Sequence, residues 1–284
     1  MPTPDAAPLV TALVPTYNGA AFIQRTLDSL AAQTYARLEI LIGDDHSSDD
    51  TLDVVRRFAD GRTNVRVLER DQNLGWLRNS NDLMARAGGE LMFFAFHDDV
   101  VAPTYVETLV RALAPDDGAV LAFTDMEVHE RDGRVAVYTF DELEGTRTAF
   151  ERGRVMARRR GDWWVPNRGL FRASGYATVG GIHPNRQGEY SADWTWLLAL
   201  SLVGGFIRVP EVLCTKYYQS GSLSKTWPHD AEQLRALHRS GVAEIRRSSL
   251  SPVQRLRLEV FLWARIYGSR LPSGLKRVLR RRGA

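Results

Sequence analysis

The 284-residue chain has one cysteine, Cys214, and that scarcity excludes an intramolecular disulfide or a cysteine-built zinc site as a staple of the fold. No run approaches the roughly 18 to 20 apolar residues that a membrane-spanning helix needs. Met1 to Pro8 holds three prolines and an aspartate but no basic stretch ahead of an apolar one. A secretory signal is therefore not expected, and the expected compartment is the cytoplasm, with peripheral attachment to the inner face of the cell membrane considered below. Internal repeats and low-complexity blocks are also lacking. What is present, 44% hydrophobic and 25% charged residues, is the composition of a folded protein long enough to bury a sizeable core.

The net charge of +3 hides a division. Residues 1–233 carry 24 basic and 32 acidic side chains, whereas residues 234–284 carry 13 basic ones and only Glu244 and Glu259 as acids. The chain divides on this basis into an acidic globular body, residues 1–228, and a basic helical C-terminal extension, residues 229–284. An acidic body argues against nucleic acid as a partner.

The first 125 residues alternate between short apolar runs and helical periodicity. Leu9 to Val14, Leu38 to Ile42, Val65 to Leu68 and Leu91 to Phe96 read as strands, the first as one buried on both faces. Between them, Gly19 to Gln33, Thr51 to Ala59 and Trp76 to Ala87 read as helices, the second with Ser47, Ser48 and Asp49 as capping candidates. Such alternation predicts an α/β fold with a mostly parallel central sheet flanked by helices, in which ligands bind beyond the carboxyl ends of the strands. Polar residues stand at those ends three times, in Pro15-Thr16-Tyr17-Asn18, Asp44-Asp45 and His97-Asp98-Asp99. Later, Val128 to Phe140 reads as a hairpin around Asp132-Gly133, Trp163 to Arg172 as an aromatic loop, Ser191 to Leu202 as an apolar helix, and Phe206 to Tyr218 as two short strands around Pro210.

Paired carboxylates leaving the end of a rigid strand can hold a hard divalent cation that keeps positions open for phosphate oxygens, although aspartate is also common wherever strands stop. Asp45 is placed to accept a hydrogen bond from a base or a ribose, with helix capping as the plainer alternative. Ligand contact is assigned to Asp45 and local structure to Asp44.

Taken in order, Val14-Pro15-Thr16-Tyr17-Asn18-Gly19, Ser29 to Thr34, Glu39 to Thr51, Asn73-Leu74-Gly75 with Asn81, Gly89-Glu90 and Asp98-Asp99 resemble the family 2 glycosyltransferases of GT-A (Rossmann-like) fold. The resemblance covers roughly residues 9 to 225. It implies an inverting enzyme that moves a sugar from a nucleotide-diphosphate donor, UDP or dTDP, to a hydroxyl of a cell-surface glycan or lipid-linked acceptor. It also implies that Pro15, Thr16, Tyr17 and Asn18 line the nucleotide and that Asp45 reads the base. Asp98 then approaches the ribose and the metal, and Asp99 ligates Mg2+ or Mn2+. Asp193, ahead of the apolar helix, matches the family's catalytic base. Arg78 is a candidate phosphate contact, with a solvated helix face as its alternative. Trp163, Trp164 and Trp194 are candidates for an acceptor shelf or for buried packing, with Trp194 favoured for stacking.

Three positions depart from the family pattern. His97 stands where an acid is usual, and is read as a metal neighbour, a diphosphate donor or a packed strand-end side chain. Ala192 replaces the glutamate before the base, a role that Glu189 could take over. Gln219 replaces a histidine of the family's later motif, and Lys216 or Lys225 could compensate by charge. These departures motivate the rival reading of a nucleotide-sugar-binding protein with impaired catalysis. In the extension, Leu256, Val260, Trp263 and Tyr267 share a helical face among Arg255, Arg257 and Arg265, and Leu275 to Arg282 adds five cations. That pattern fits an anionic membrane surface, or packing on the catalytic domain or on a second subunit in a homodimer.

Overall fold

The computed structural model describes residues 7–158, 162–218 and 227–267. Each expected strand and helix of the first 125 residues is present, as β1 (Val10–Thr16), α1 (Ile23–Ala31), β2 (Leu38–Asp44), α2 (Thr51–Ala59), β3 (Val65–Glu69), α3 (Trp76–Arg86) and β4 (Leu91–Phe94). The strands pair in parallel in the order β3-β2-β1-β4. Thr16 lies opposite Asp44, and Asp44 opposite Glu69, so the loops after the first three strands leave the sheet at one edge. β1 is buried along its whole length, as its unbroken apolar run requires for a strand covered on both faces.

Beyond β4 the sheet becomes mixed. The chain turns at residues 96–99 into a short strand, β5 (Asp99–Val101), then forms α4 (Tyr105–Leu113), β6 (Ala119–His129) and β7 (Val135–Tyr138), the last two being the expected hairpin. α5 (Ala149–Arg158) follows. The aromatic stretch is more ordered than a loop: a 3-10 turn over Val165–Arg168 leads into β8 (Leu170–Arg172), which lies between β4 and β6, antiparallel to both. After α6 (Ala173–Val179) and α7 (Ala192–Val203), β9 (Gly205–Tyr217) is one 13-residue strand rather than two. Its proline is accommodated by a bulge, because Thr124 pairs with Val209 while the next residue, Asp125, pairs with Val212, so Pro210 stands outside the ladder.

The described part of the extension forms α8 (Ala231–Arg247) and α9 (Pro252–Tyr267). Asp230 caps α8 by accepting hydrogen bonds from the N–H groups of Glu232 and Gln233, both at 2.8 Å. Both helices share the core of the body. Leu237, Ile245, Leu258 and Leu262 are fully buried, and Gly241 lies close enough to Trp194 of α7 and Leu262 of α9 that a Cβ there would come within 2.9 Å of both side chains. The second basic segment, Leu275 to Arg282, lies outside the described residues.

Candidate functional site

The loops at the common sheet edge are tied to one another before any ligand is considered. Asp45 N–H donates to the Thr16 carbonyl at 2.9 Å, Asn18 N–H to Ser47 Oγ at 3.0 Å, and Ser48 N–H to Asn18 Oδ1 at 2.8 Å. Asp49 accepts from the N–H groups of Ala20 and Thr51. Asn18, His46 and Ser191 are non-glycine residues with left-handed backbone, at φ 48°, 62° and 46°. Each stands within two residues of a predicted site residue, and such strain persists only where neighbours enforce it.

Pro15 and Thr16 are buried members of β1, so only Tyr17, 45% exposed, and Asn18 are presented at the surface of this loop. Asp45 is 2% exposed, and its two carboxylate oxygens accept the N–H groups of Leu74 at 2.7 Å and Gly75 at 2.9 Å. Burial raises its pKa despite those two donors. Asp44 accepts from the N–H and hydroxyl of Ser47, which is local structure, as assigned. A cleft of about 290 Å³ opens along the loop that Asp45 holds, lined by Glu69, Arg70, Asp71, Gln72 and Leu74.

Glu189 completes this side. Its Oε1 accepts the Leu77 N–H at 3.1 Å, and a Cβ on Gly75, whose φ is +84°, would come within 2.6 Å of the same oxygen. Only glycine fits there. Burial raises the Glu189 pKa, and the neighbouring Asp45 charge adds to the rise while Arg78 opposes it. Arg78 itself is exposed.

The second half of the site is a charge cluster. β5 pairs antiparallel with β9, with Asp99 opposite Lys216. Lys216 Nζ is 2.5 Å from Asp98 Oδ2 and 3.7 Å from Asp99 Oδ1, while Arg168 Nε donates to Asp99 Oδ2 at 2.9 Å. All four side chains are largely buried, so the two acids and two bases must neutralise one another. Burial alone would push the Asp98 carboxyl up, but Lys216 holds it below the usual carboxylate range. Burial likewise opposes the Arg168 charge, and Asp99 and Asp98 together raise its pKa. Arg168 also lies over the Phe96 ring at 4.7 Å. Sequence reasoning missed Arg168, which carries no motif signal. Lys216 was legible as a compensating charge.

His97 is not directed at the carboxylates by any hydrogen bond. Its Nδ1 shares one with Thr16 Oγ1 at 3.0 Å, its ring meets Phe22 edge-on, and burial lowers its pKa. Among the described residues no group of three or more His, Cys, Asp and Glu side chains is placed to hold a metal ion. Asp99 Oδ1, however, is buried without a hydrogen-bond partner, and hard oxygen donors of this kind suit Mg2+ or Mn2+. The two carboxylates are therefore hard donors of the kind such a cation takes, with Lys216 and Arg168 paired to them here.

Asp193 lies in the first turn of α7, partly exposed, and accepts the Trp194 N–H at 3.0 Å. Trp194 corrects the expectation of an acceptor shelf. It is 0% exposed and its indole N–H donates to the Met156 carbonyl at 2.9 Å, so neither ring face is open to a sugar. Trp163 and Trp164 are half-buried, and Trp164 packs against Tyr138 at 5.2 Å between ring centres. Gln219 and Lys225 lie outside the described residues.

Residues 11–174 match the family model described as Glycosyl transferase family 2. A relative named glycosyltransferase GlyG, from Streptococcus pneumoniae serotype 4, is 28% identical over 156 residues, 55% of this chain and 51% of the relative. The hyaluronan synthase of Pasteurella multocida is 27% identical over 73% of this chain and 20% of its own length. The chain thus spans about half or less of these relatives. Among solved structures, Staphylococcus aureus TarS 1–349 in complex with UDP-GlcNAc superposes with a TM-score of 0.72 at 16% identity, covering 92% of this chain and 73% of that one. The mannosyltransferase PcManGT of Pyrobaculum calidifontis, in complex with GDP-Man and Mn2+, gives 0.61 at 20% identity, covering 94% and 71%. At these identities the superpositions establish the α/β fold.

Proposed function

Because the chain belongs to glycosyl transferase family 2, we propose that it transfers a sugar from a nucleoside-diphosphate donor to a hydroxyl of a cell-envelope glycan or lipid-linked acceptor, with inversion, at the cytoplasmic side. The observation that carries this reading is the neutralised cluster that Lys216 of β9 and Arg168 form with Asp98 and Asp99 on the chain that leaves β4, next in the sheet to β1, which the exposed Tyr17 follows. An open ring for a base and a set of charges for a diphosphate are the two needs of such a donor.

In this mechanism Tyr17 stacks on the base, and the loop fixed by Asp45 forms the wall beside it. Asp45, whose carboxylate oxygens each keep a lone pair beyond their backbone partner, reads the imide of a uracil or thymine base. Asp98 approaches the ribose. Lys216 and Arg168, whose charges Asp98 and Asp99 balance, offer charge-assisted N–H donors to the departing diphosphate. Asp98 and Asp99 are the residues that would hold Mg2+ or Mn2+, which would add charge against the same leaving group. Asp193 takes the proton of the attacking acceptor hydroxyl, and attack from the face opposite the leaving group inverts the anomeric centre. Glu189, held by Leu77, orients the acceptor in place of the residue that Ala192 lacks.

Nucleoside diphosphate release, measured over a panel of donors and acceptors for wild type and Asp193→Asn, tests the reading. Turnover lost in the variant, with donor binding kept, is the expected result. Donor binding without turnover for any pair in wild type would favour the sugar-nucleotide-binding alternative. Thermal stabilisation by UDP, dTDP and GDP, each with and without Mn2+, resolves the base. Larger shifts with a pyrimidine nucleotide and Mn2+ together than with Mn2+ alone are expected, and preference for GDP refutes the pyrimidine assignment.

A further inference from the structure

α9 has two apolar faces, and among the described residues only one of them is covered. Leu258 and Leu262 are fully buried against α5 and α8, where Gly153 and Gly241 leave room for them. On another face, Val253, Leu256, Val260 and Trp263 are 67%, 62%, 50% and 39% exposed. Their spacing of three, four and three residues places them in one stripe about 15 Å long on the helix surface. Of the nine large hydrophobic side chains exposed among the described residues, four fall on this single helix. Scattered exposed hydrophobics are ordinary, but an aligned set marks an interaction surface.

The charges around the stripe identify its occupant. Arg257 is exposed at one edge of it, over the Phe150 ring, whereas Arg265 lies round the helix toward Leu258 and Leu262 and donates to the Arg158 carbonyl. Glu259, the one acid of α9, is held by Arg246 of α8 through two hydrogen bonds of 2.8 Å. The sequence after Tyr267 adds Arg270, Lys276, Arg277 and Arg280 to Arg282 with no acid. A second copy of this chain seated on the stripe would bring two such basic sets together, which like-charge repulsion opposes. A bilayer carrying anionic lipid instead offers a shallow apolar layer for aliphatic groups, an interfacial zone for the indole, and negative charge for the arginines.

We propose that this face of α9 seats the protein on an anionic lipid surface, with the helix lying in the membrane plane. The seat is built by tertiary structure, because Leu258 and Leu262 lock the helix with the stripe outward. It does not depend on the transfer reading, since none of its residues contributes to the strand-edge site.

Sedimentation of the full chain with vesicles tests the proposal. Binding is expected to phosphatidylcholine vesicles containing phosphatidylglycerol, weakened by salt, with little binding to phosphatidylcholine alone. The Leu256→Glu/Val260→Glu double variant, whose sites are solvent-exposed, should melt like wild type and lose at least about tenfold in vesicle affinity. Wild type that fails to bind the anionic vesicles overturns the proposal. So does a double variant that melts like wild type and binds them as wild type does, or sedimentation equilibrium showing a wild-type dimer that the double variant splits. A double variant that does not fold is replaced by Val253→Ser/Trp263→Ser, judged by the same outcomes.

Discussion

Replacing Lys216 with methionine isolates the electrostatics of the charge cluster. The substitution keeps an unbranched apolar stem one atom shorter but removes the ammonium 2.5 Å from Asp98 and 3.7 Å from Asp99, leaving two buried carboxylates to share Arg168. Two unit charges about 4 Å apart interact by about 4 kcal/mol at an effective dielectric of 20, and removing one partner of a buried pair typically costs about 3 to 5 kcal/mol. A destabilisation in that range is expected in urea denaturation at pH 7 with an unchanged m-value. Acid should relieve it. In wild type the depressed Asp98 pKa contributes stability that is full above the unfolded value and is lost as pH falls through the folded one. In the variant the attraction is gone and burial raises that pKa, so the folded state binds the extra proton and the deficit shrinks as pH drops toward the ordinary carboxylate range. Pairing the change with Asp98→Asn should recover most of the loss, giving a coupling energy of several kcal/mol in a double-mutant cycle. A cost below about 1 kcal/mol at pH 7, or one that does not change with pH, would refute the buried-pair account.

Glu189→Gln retains the acceptor for the Leu77 N–H and removes a carboxylate whose pKa is raised by burial and by Asp45. Such a group favours folding below its unfolded pKa and loses that contribution as pH rises through its raised folded value, so the variant should show a flatter stability profile above the ordinary carboxylate range in thermal melts taken across pH. Gly241→Ala forces a Cβ against Leu262 and Trp194, and an overpacked core of this kind costs about 1 to 3 kcal/mol, read by chemical denaturation. An unchanged stability would mean that α8 is not fixed to α7 in solution.

The N-terminal half of the fold was legible because its physics is local. Strands buried on both faces read as unbroken apolar runs, and the helices between them carry their own periodicity. The later half depends on partners far away in sequence. β9 looked like two strands because a proline interrupts it, and only its pairing with β6 shows the bulge that absorbs Pro210. Trp194 was misread as a sugar platform because it adjoins a proposed base. Yet α7 is buried on nearly every side, as its continuous apolar sequence already implied, and Trp194 itself is 0% exposed. At the site, Asp98 and Asp99 could be found from their position after a strand, and Lys216 as a charge of the right sign. Arg168 could not, since a buried arginine is recognised only by the acid it meets.

β5 and β9 draw residues 98, 99 and 216 together, and the turn before β8 adds residue 168. A growing polypeptide therefore carries both aspartates long before it carries either of the cations that balance them. Until β9 docks, Asp98 lacks its lysine and Asp99 has Arg168 as its one balancing charge. The cluster is complete only once β9 has joined the sheet, so the diphosphate contact proposed for it requires that pairing.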